Sequence, residues 1–242
     1  MFSERILLFY LSETFMTLIY EPERFKNESR TKRSKRQILL TKAEEIFREK
    51  GIASTSMIDI AKVAGVERRT LYNYYNNKEE LAIDIQIEYL RNYGATVEFK
   101  IDYNKNFILQ LEQYCETYIK RFLNNKNYII YITQFDYYFR HISKDENLDR
   151  YHQIMKNRNM TNNPAMEIIS LICEEKGISL SKEMLKKFFF TLHHCILGVA
   201  QRVIFREAVF IEEQNYSSED IRILIPILVQ GIVATLPNYD SK

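Results

Sequence analysis

The chain has 242 residues, enough for one or two domains with a substantial buried core. Only 6 Gly and 4 Pro stand against 17 Tyr and 15 Phe, with Ile, Leu, Asn and Lys abundant, which favours helices joined by short connections. The three cysteines, Cys115, Cys173 and Cys195, lie far apart, so the spacing excludes a disulfide framework or a zinc ribbon and fits a reducing, cytoplasmic setting.

Residues 6–20 are apolar but interrupted by Glu13, and the stretch is too short and too polar to span a bilayer. No small-residue cleavage site follows it. Residues 1–29 are expected to form either a loosely attached helix or a leader added by an upstream start codon. Arg30, Lys32, Arg33, Lys35 and Arg36 then make a basic arm of the kind that reaches phosphates or a minor groove.

Residues 36–50 are predicted to be a helix. Leu39, Leu40, Ala43, Ile46 and Phe47 form one apolar stripe at helical spacing, and Gly51 ends it. A second helix starts at Ser56, a good N-cap, with Asp59 three residues on completing an approximate capping box. Ile60 and the small Ala61 suit a close helix crossing. Gly65 suits the position just past the helix end, where the backbone turns left-handed. Val66 fills the crevice between this helix and the next, and Leu71 turns back onto the same core.

The third helix, across residues 67–74, therefore presents Arg68, Arg69, Thr70, Tyr72, Asn73 and Tyr74 outward or sideways. Arg reads guanine, Asn reads adenine, and Thr and Tyr hydroxyls reach phosphates. Two short helices joined by a tight turn, the second basic and hydroxyl-rich, are what a helix-turn-helix needs to enter a major groove. Asn77 caps the following helix, and Lys78 at its start joins a cation to free amides, a combination able to hold phosphate. The charge agrees. Residues 30–78 hold 12 Lys or Arg and 5 Asp or Glu, a balance of +7, while the remainder holds 22 and 27, a balance of −5.

Residues 33–93 resemble the DNA-binding domain of the TetR family of bacterial transcriptional regulators. The resemblance rests on Leu39-Leu40, Ala43, Ile46-Phe47 and Gly51, on Thr55-Ser56 and Asp59-Ile60-Ala61, and on Ala64-Gly65-Val66. Thr70-Leu71-Tyr72, Tyr75 and Lys78-Glu79-Glu80-Leu81 complete it. Three positions depart from the usual pattern. Glu67 replaces a small capping residue, Arg69 replaces a small residue, and Tyr74 replaces a frequent His. The resemblance implies an all-α fold. An N-terminal extension and arm occupies residues 1–32, a three-helix DNA-binding domain 33–93, and a helical effector-binding and dimerisation domain 94–242. The expected DNA-contacting residues are Arg33, Lys35, Ser56, Met57, Arg68, Arg69, Thr70, Tyr72, Asn73, Tyr74 and Lys78.

Beyond a linking helix at 79–93, further helices are expected near 105–124, 127–142, 147–157, 163–176, 181–211 and 217–236. Pro164 marks a start and Gly177 a stop. Each of the last two helices carries an apolar face led by Phe188, Phe189 and Leu192, or by Ile221, Leu224 and Ile225, with further apolar residues outside it. Phe190, Leu197, Ile223 and Ile227 are examples. Two apolar faces suggest packing both within the subunit and against a partner. By resemblance these helices pair with their copies in a four-helix homodimer interface. Pro226 is expected to kink or restart the last helix.

The middle helices are rich in aromatics. In a regulator of this kind, Tyr114, Tyr118, Tyr131, Gln134, Phe135 and Tyr138 would line a pocket for a small-molecule effector, with Asp136 favouring a cation. For any single aromatic among them, ordinary core packing is the better account. His193, His194 and Cys195 are adjacent on a helix and point about 100° apart, so they do not converge on a metal. No phosphate-binding Gly-rich loop, nucleophile elbow or catalytic constellation is visible, so neither cofactor, enzymatic activity nor membrane insertion is expected. The resemblance thus implies a dimeric, ligand-responsive repressor on double-stranded DNA, or alternatively an activator or adaptor acting through another protein.

Overall fold

The computed structural model describes residues 25, 27–93, 99–141, 148–149, 151–152 and 163–240. The fold is all-α, with no strand among the described residues. Residues 1–95 and 134–158 make one compact unit, and residues 96–133 and 159–242 a second.

The first unit opens with α1, Arg30–Lys50. Helix formation starts six residues earlier than the apolar stripe suggests, because Ser29 caps it by accepting from the Lys32 amide at 3.3 Å. The expected basic arm is therefore the first two turns of a helix. Gly51, at φ +81°, ends α1 and returns its N–H to Phe47. Leu39, Leu40, Ala43, Ile46 and Phe47 are all buried. Each Leu, Ile or Phe side chain among them, taken fully out of water, contributes about 1.5–3 kcal/mol. Helix α1 packs on α2 (Met57–Ala64) and on α4 (Lys78–Tyr93), and α2 packs on α3 (Arg68–Tyr72). Asn77 caps α4 through the Glu80 amide at 2.8 Å, and Glu80 reaches back to the Asn76 amide at 2.9 Å.

The second unit holds α5 (Phe107–Leu123), the first part of α6 (Lys126–Phe139), α7 (Pro164–Glu175) and α8 (Lys182–Phe205). It also holds α9 (Glu207–Gln214), a 3₁₀ segment Ser218–Ile223 and α10 (Leu224–Thr235). Asn106, Asn163 and Ser181 cap α5, α7 and α8, and Pro164 is the first residue of α7. The core runs from Phe107 through Leu111, Ile119 and Ile129 to Ile168, Phe189, Ile196, Val229 and Leu236.

The helix expected at 181–211 is broken at Arg206, which leaves the helical conformation at φ −119°. Glu207 anchors the break. Its carboxylate accepts from Lys126 at 2.8 Å and from the Ser218 amide at 3.1 Å. The helix expected at 217–236 begins as 3₁₀, and the α-helix starts only at Leu224, so that Pro226 falls in its first turn. Of the helix expected at 147–157, only 148–149 and 151–152 lie among the described residues, and these are helical. The features expected of residues 1–24 fall outside the described residues.

By length and composition Lys182–Phe205 and Ser218–Tyr239 are apolar enough to cross a membrane. Both are amphipathic in this fold. Phe189, Leu192, Ile196, Ile225 and Val229 are buried in the core, while Phe190, Phe205, Ile223 and Ile227 are exposed.

Candidate nucleic-acid interface

The helix-turn-helix is assembled by local rules. The Ser56 amide donates to Asp59 Oδ2 at 3.0 Å and the Asp59 amide to Ser56 Oγ at 3.2 Å, a complete capping box. The Ser56 hydroxyl also donates to Asp59 at 2.6 Å, and these Ser56 bonds hold the Asp59 carboxyl below the usual carboxylate range. Gly65 sits in the left-handed region, φ +65° and ψ +31°, and the following Val66 amide bonds back to Ala61 at 3.0 Å. The chain leaves this turn through Glu67, which begins α3 without a side-chain cap.

Helix α3 is one and a half turns long. Leu71 is its one buried residue, fully withdrawn into the core. The opposite flank carries Arg68, Arg69, Tyr72 and Asn73, all exposed, with Thr70 and Tyr74 half-buried at its edges. The Arg68 guanidinium lies 5.3 Å over the Tyr72 ring, so the two side chains support one another. Asn73 ends the helix, and its amide bonds to Arg69 at 3.1 Å. Partial burial pushes the Tyr74 phenol up, reinforced by Glu28 and opposed by Arg36. At the start of α2 the Ser56 side chain is exposed and Met57 is half-buried, and Arg33 and Lys35 are exposed on the first turns of α1.

Two residues expected to contact DNA are already occupied. The Lys78 ammonium donates to the carbonyls of Ile52, Ala53 and Thr55 at 2.7, 2.9 and 3.0 Å. An ammonium has three donors, and all three are taken. The geometry replaces the expected phosphate contact with a structural clamp on the loop before α2. The Ser56 hydroxyl proton is likewise given to Asp59, which leaves only its acceptor capacity toward solvent. Arg36, counted in the basic arm, is buried against Glu28.

The six residues expected around an effector are not gathered in one unit. Gln134, Phe135 and Tyr138 belong to the first unit. There Phe135 packs on Phe139 and Tyr151, Tyr138 donates to Glu79 at 2.5 Å, and Gln134 stands next to Gly51. Tyr114, Tyr118 and Tyr131 belong to the second. Tyr114 stacks on Tyr118 and its hydroxyl reaches Asn163 at 3.4 Å, while the Tyr118 hydroxyl pairs with the His193 ring. His193 and Asn163 were not foreseen as part of that cluster, and no local sequence signal links either to residues far upstream. No cluster of metal-ligating side chains occurs among the described residues.

A buried Leu71, a glycine turn and an outward basic flank on the second of two packed helices define a helix-turn-helix DNA-binding domain. Residues 39–85 match the family model "Bacterial regulatory proteins, tetR family", and over this segment the chain is similar to that family. A segment of 58 residues, 24% of this chain, is 40% identical to the HTH-type transcriptional regulator TtgR of Pseudomonas putida. That segment is 26% of TtgR, so the chain matches only about a quarter of this relative's length. The fold extends further. A putative transcriptional regulator from Pseudomonas aeruginosa PAO1 superposes with a TM-score of 0.59 at 13% identity, over 90% of this chain and 98% of that one. MexZ of Pseudomonas aeruginosa, described as a key repressor responsible for antibiotic resistance, superposes with a TM-score of 0.52 at 17% identity, over 86% and 99%.

Proposed function

We propose that the protein is a cytoplasmic transcriptional regulator that binds double-stranded DNA as a homodimer and represses until an effector releases it. The observation that carries this reading is the exposed Arg68, Arg69, Tyr72 and Asn73 flank, held outward by the fully buried Leu71. Arginine and asparagine on such a flank suit base edges, and the tyrosine suits the backbone. A single five-residue recognition helix binds weakly, and two copies on a near-palindromic site supply the rest. The exposed Phe190, Phe205, Ile223 and Ile227 support pairing of α8 and the 218–235 segment with their copies. An effector favouring a different separation of the two recognition helices would lower DNA affinity, because both half-sites must be met together.

The test is enrichment of duplexes from a randomised pool by the wild-type protein, followed by binding of the Arg68→Ala, Arg69→Ala double variant to the enriched duplex. A strong loss supports the regulator. Unchanged binding favours an adaptor that keeps the fold and acts through another protein.

A further inference from the structure

We propose that Phe25, Glu28 and Arg36 are positioning residues for DNA recognition: through Tyr75 they fix the far end of the recognition helix from behind. This rests on the DNA-binding reading above. Phe25 and Glu28 precede the TetR-type motif in sequence, and neither belongs to the DNA-facing flank.

Helix α3 needs such support. It has five residues, whereas isolated helices shorter than about 12–15 residues are marginal in water. Glu67 gives it no side-chain cap at the front. Leu71 alone cannot fix rotation about the helix axis. The next anchor on the same face is Tyr75, four residues on, whose amide continues the ladder to the Leu71 carbonyl at 3.1 Å.

Tyr75 is fully buried, and its hydroxyl is keyed by polar partners. It donates to Asp84 Oδ2 of α4 at 3.0 Å and accepts from the Arg36 guanidinium of α1. Arg36 in turn donates to Glu28 Oε2 at 3.0 Å, with the two side chains only 7% and 5% exposed. The Phe25 ring closes the assembly. It lies 4.4 Å from the Arg36 guanidinium and 5.9 Å from the Tyr75 ring. An apolar residue at 75 would fill the space equally well. Directional bonds from two different helices also set the ring's orientation, and with it the path of residues 72–75.

The full-length Tyr75→Phe, Glu28→Gln and Phe25→Ala variants test this through two readouts. Amide hydrogen exchange over residues 68–77 needs no DNA. Binding is then compared between a duplex enriched by the wild type and a scrambled duplex. In the variants exchange over 68–77 should accelerate roughly tenfold, with α7 and α8 unaffected. The preference for the enriched duplex should fall roughly tenfold while scrambled-duplex binding holds. Wild-type exchange in all three variants would overturn the latch. Faster exchange with unchanged preference would show a purely structural role and overturn the positioning claim. If the wild type enriches no sequence, the DNA-binding reading itself fails and the positioning claim with it, while exchange still decides whether the latch exists.

Discussion

The ammonium of Lys78 lies 2.7 Å from the carbonyl oxygen of Ile52, 26 residues upstream, and closes the loop between α1 and α2 onto the start of α4. Two more carbonyls, Ala53 and Thr55, complete its coordination, and the Tyr138 ring lies 5.3 Å away. Hydrogen bonds from a charged donor contribute about 1.5–3 kcal/mol, so Lys78→Ala should lower unfolding stability by about 2 kcal/mol in a urea titration. The slope of log affinity against log salt on an enriched duplex should not change. A slope flatter by about one unit would return Lys78 to the phosphate contacts.

Gly51 and Gly65 both have positive φ, but their surroundings differ. A Cβ on Gly51 would meet Gln134 Oε1 at 3.2 Å, at φ +81°, whereas one on Gly65 would meet open space. Gly65→Ala should therefore cost about 1–2 kcal/mol, the left-handed penalty alone. Gly51→Ala should cost more, because φ +81° with ψ +153° is a conformation essentially confined to glycine and Gln134 must also move. Denaturant unfolding of the two variants checks the order, and equal costs would contradict it.

The α2 capping box makes stability depend on pH in a definite direction. Bonds from Ser56 lower the Asp59 pKa in the folded state. Their contribution is therefore present above the unfolded value, about 3.9, and is lost as pH falls through the lower folded value. Ser56→Ala should be less stable than wild type at neutral pH, and the gap should narrow in thermal melts below about pH 4. A gap constant down to strongly acid pH would detach the cap from Asp59 ionisation.

The exposed Ile223 and Ile227 should be covered by a second copy. Ile227→Glu would bury an unpaired charge in that interface, so sedimentation should show a dimeric wild type and a monomeric variant. Its affinity for the enriched duplex should fall toward that of a single half-site. A wild type that sediments as a monomer would overturn the dimer.

Much of the first unit is legible in the sequence because its rules are local. The Ser56–Asp59 box, the Gly65 turn, the buried Leu71 and the Asn77 cap each follow from residues within four positions. The reading loses ground where partners are distant. Lys78 at a helix start suggests an anion site, and only the fold reveals that the loop at 52–55 takes its donors. Tyr75 reads as one more core aromatic, since nothing local announces Asp84 or Arg36. The break at Arg206 is hidden within an apolar run because its cause, Glu207 bonded to Lys126 and Ser218, spans three elements. The proposed effector-lining set mixes residues of two units for the same reason: aromatic content marks burial without saying against what.

The central claim is that the Arg68–Tyr72 helix enters a major groove, and interference by guanine N7 methylation on an enriched duplex tests it most directly. Methylation should block binding at guanines in two half-sites about one helical turn, or a multiple of it, apart, and the Arg68→Ala, Arg69→Ala variant should lose that pattern. Binding indifferent to N7 methylation would contradict the account.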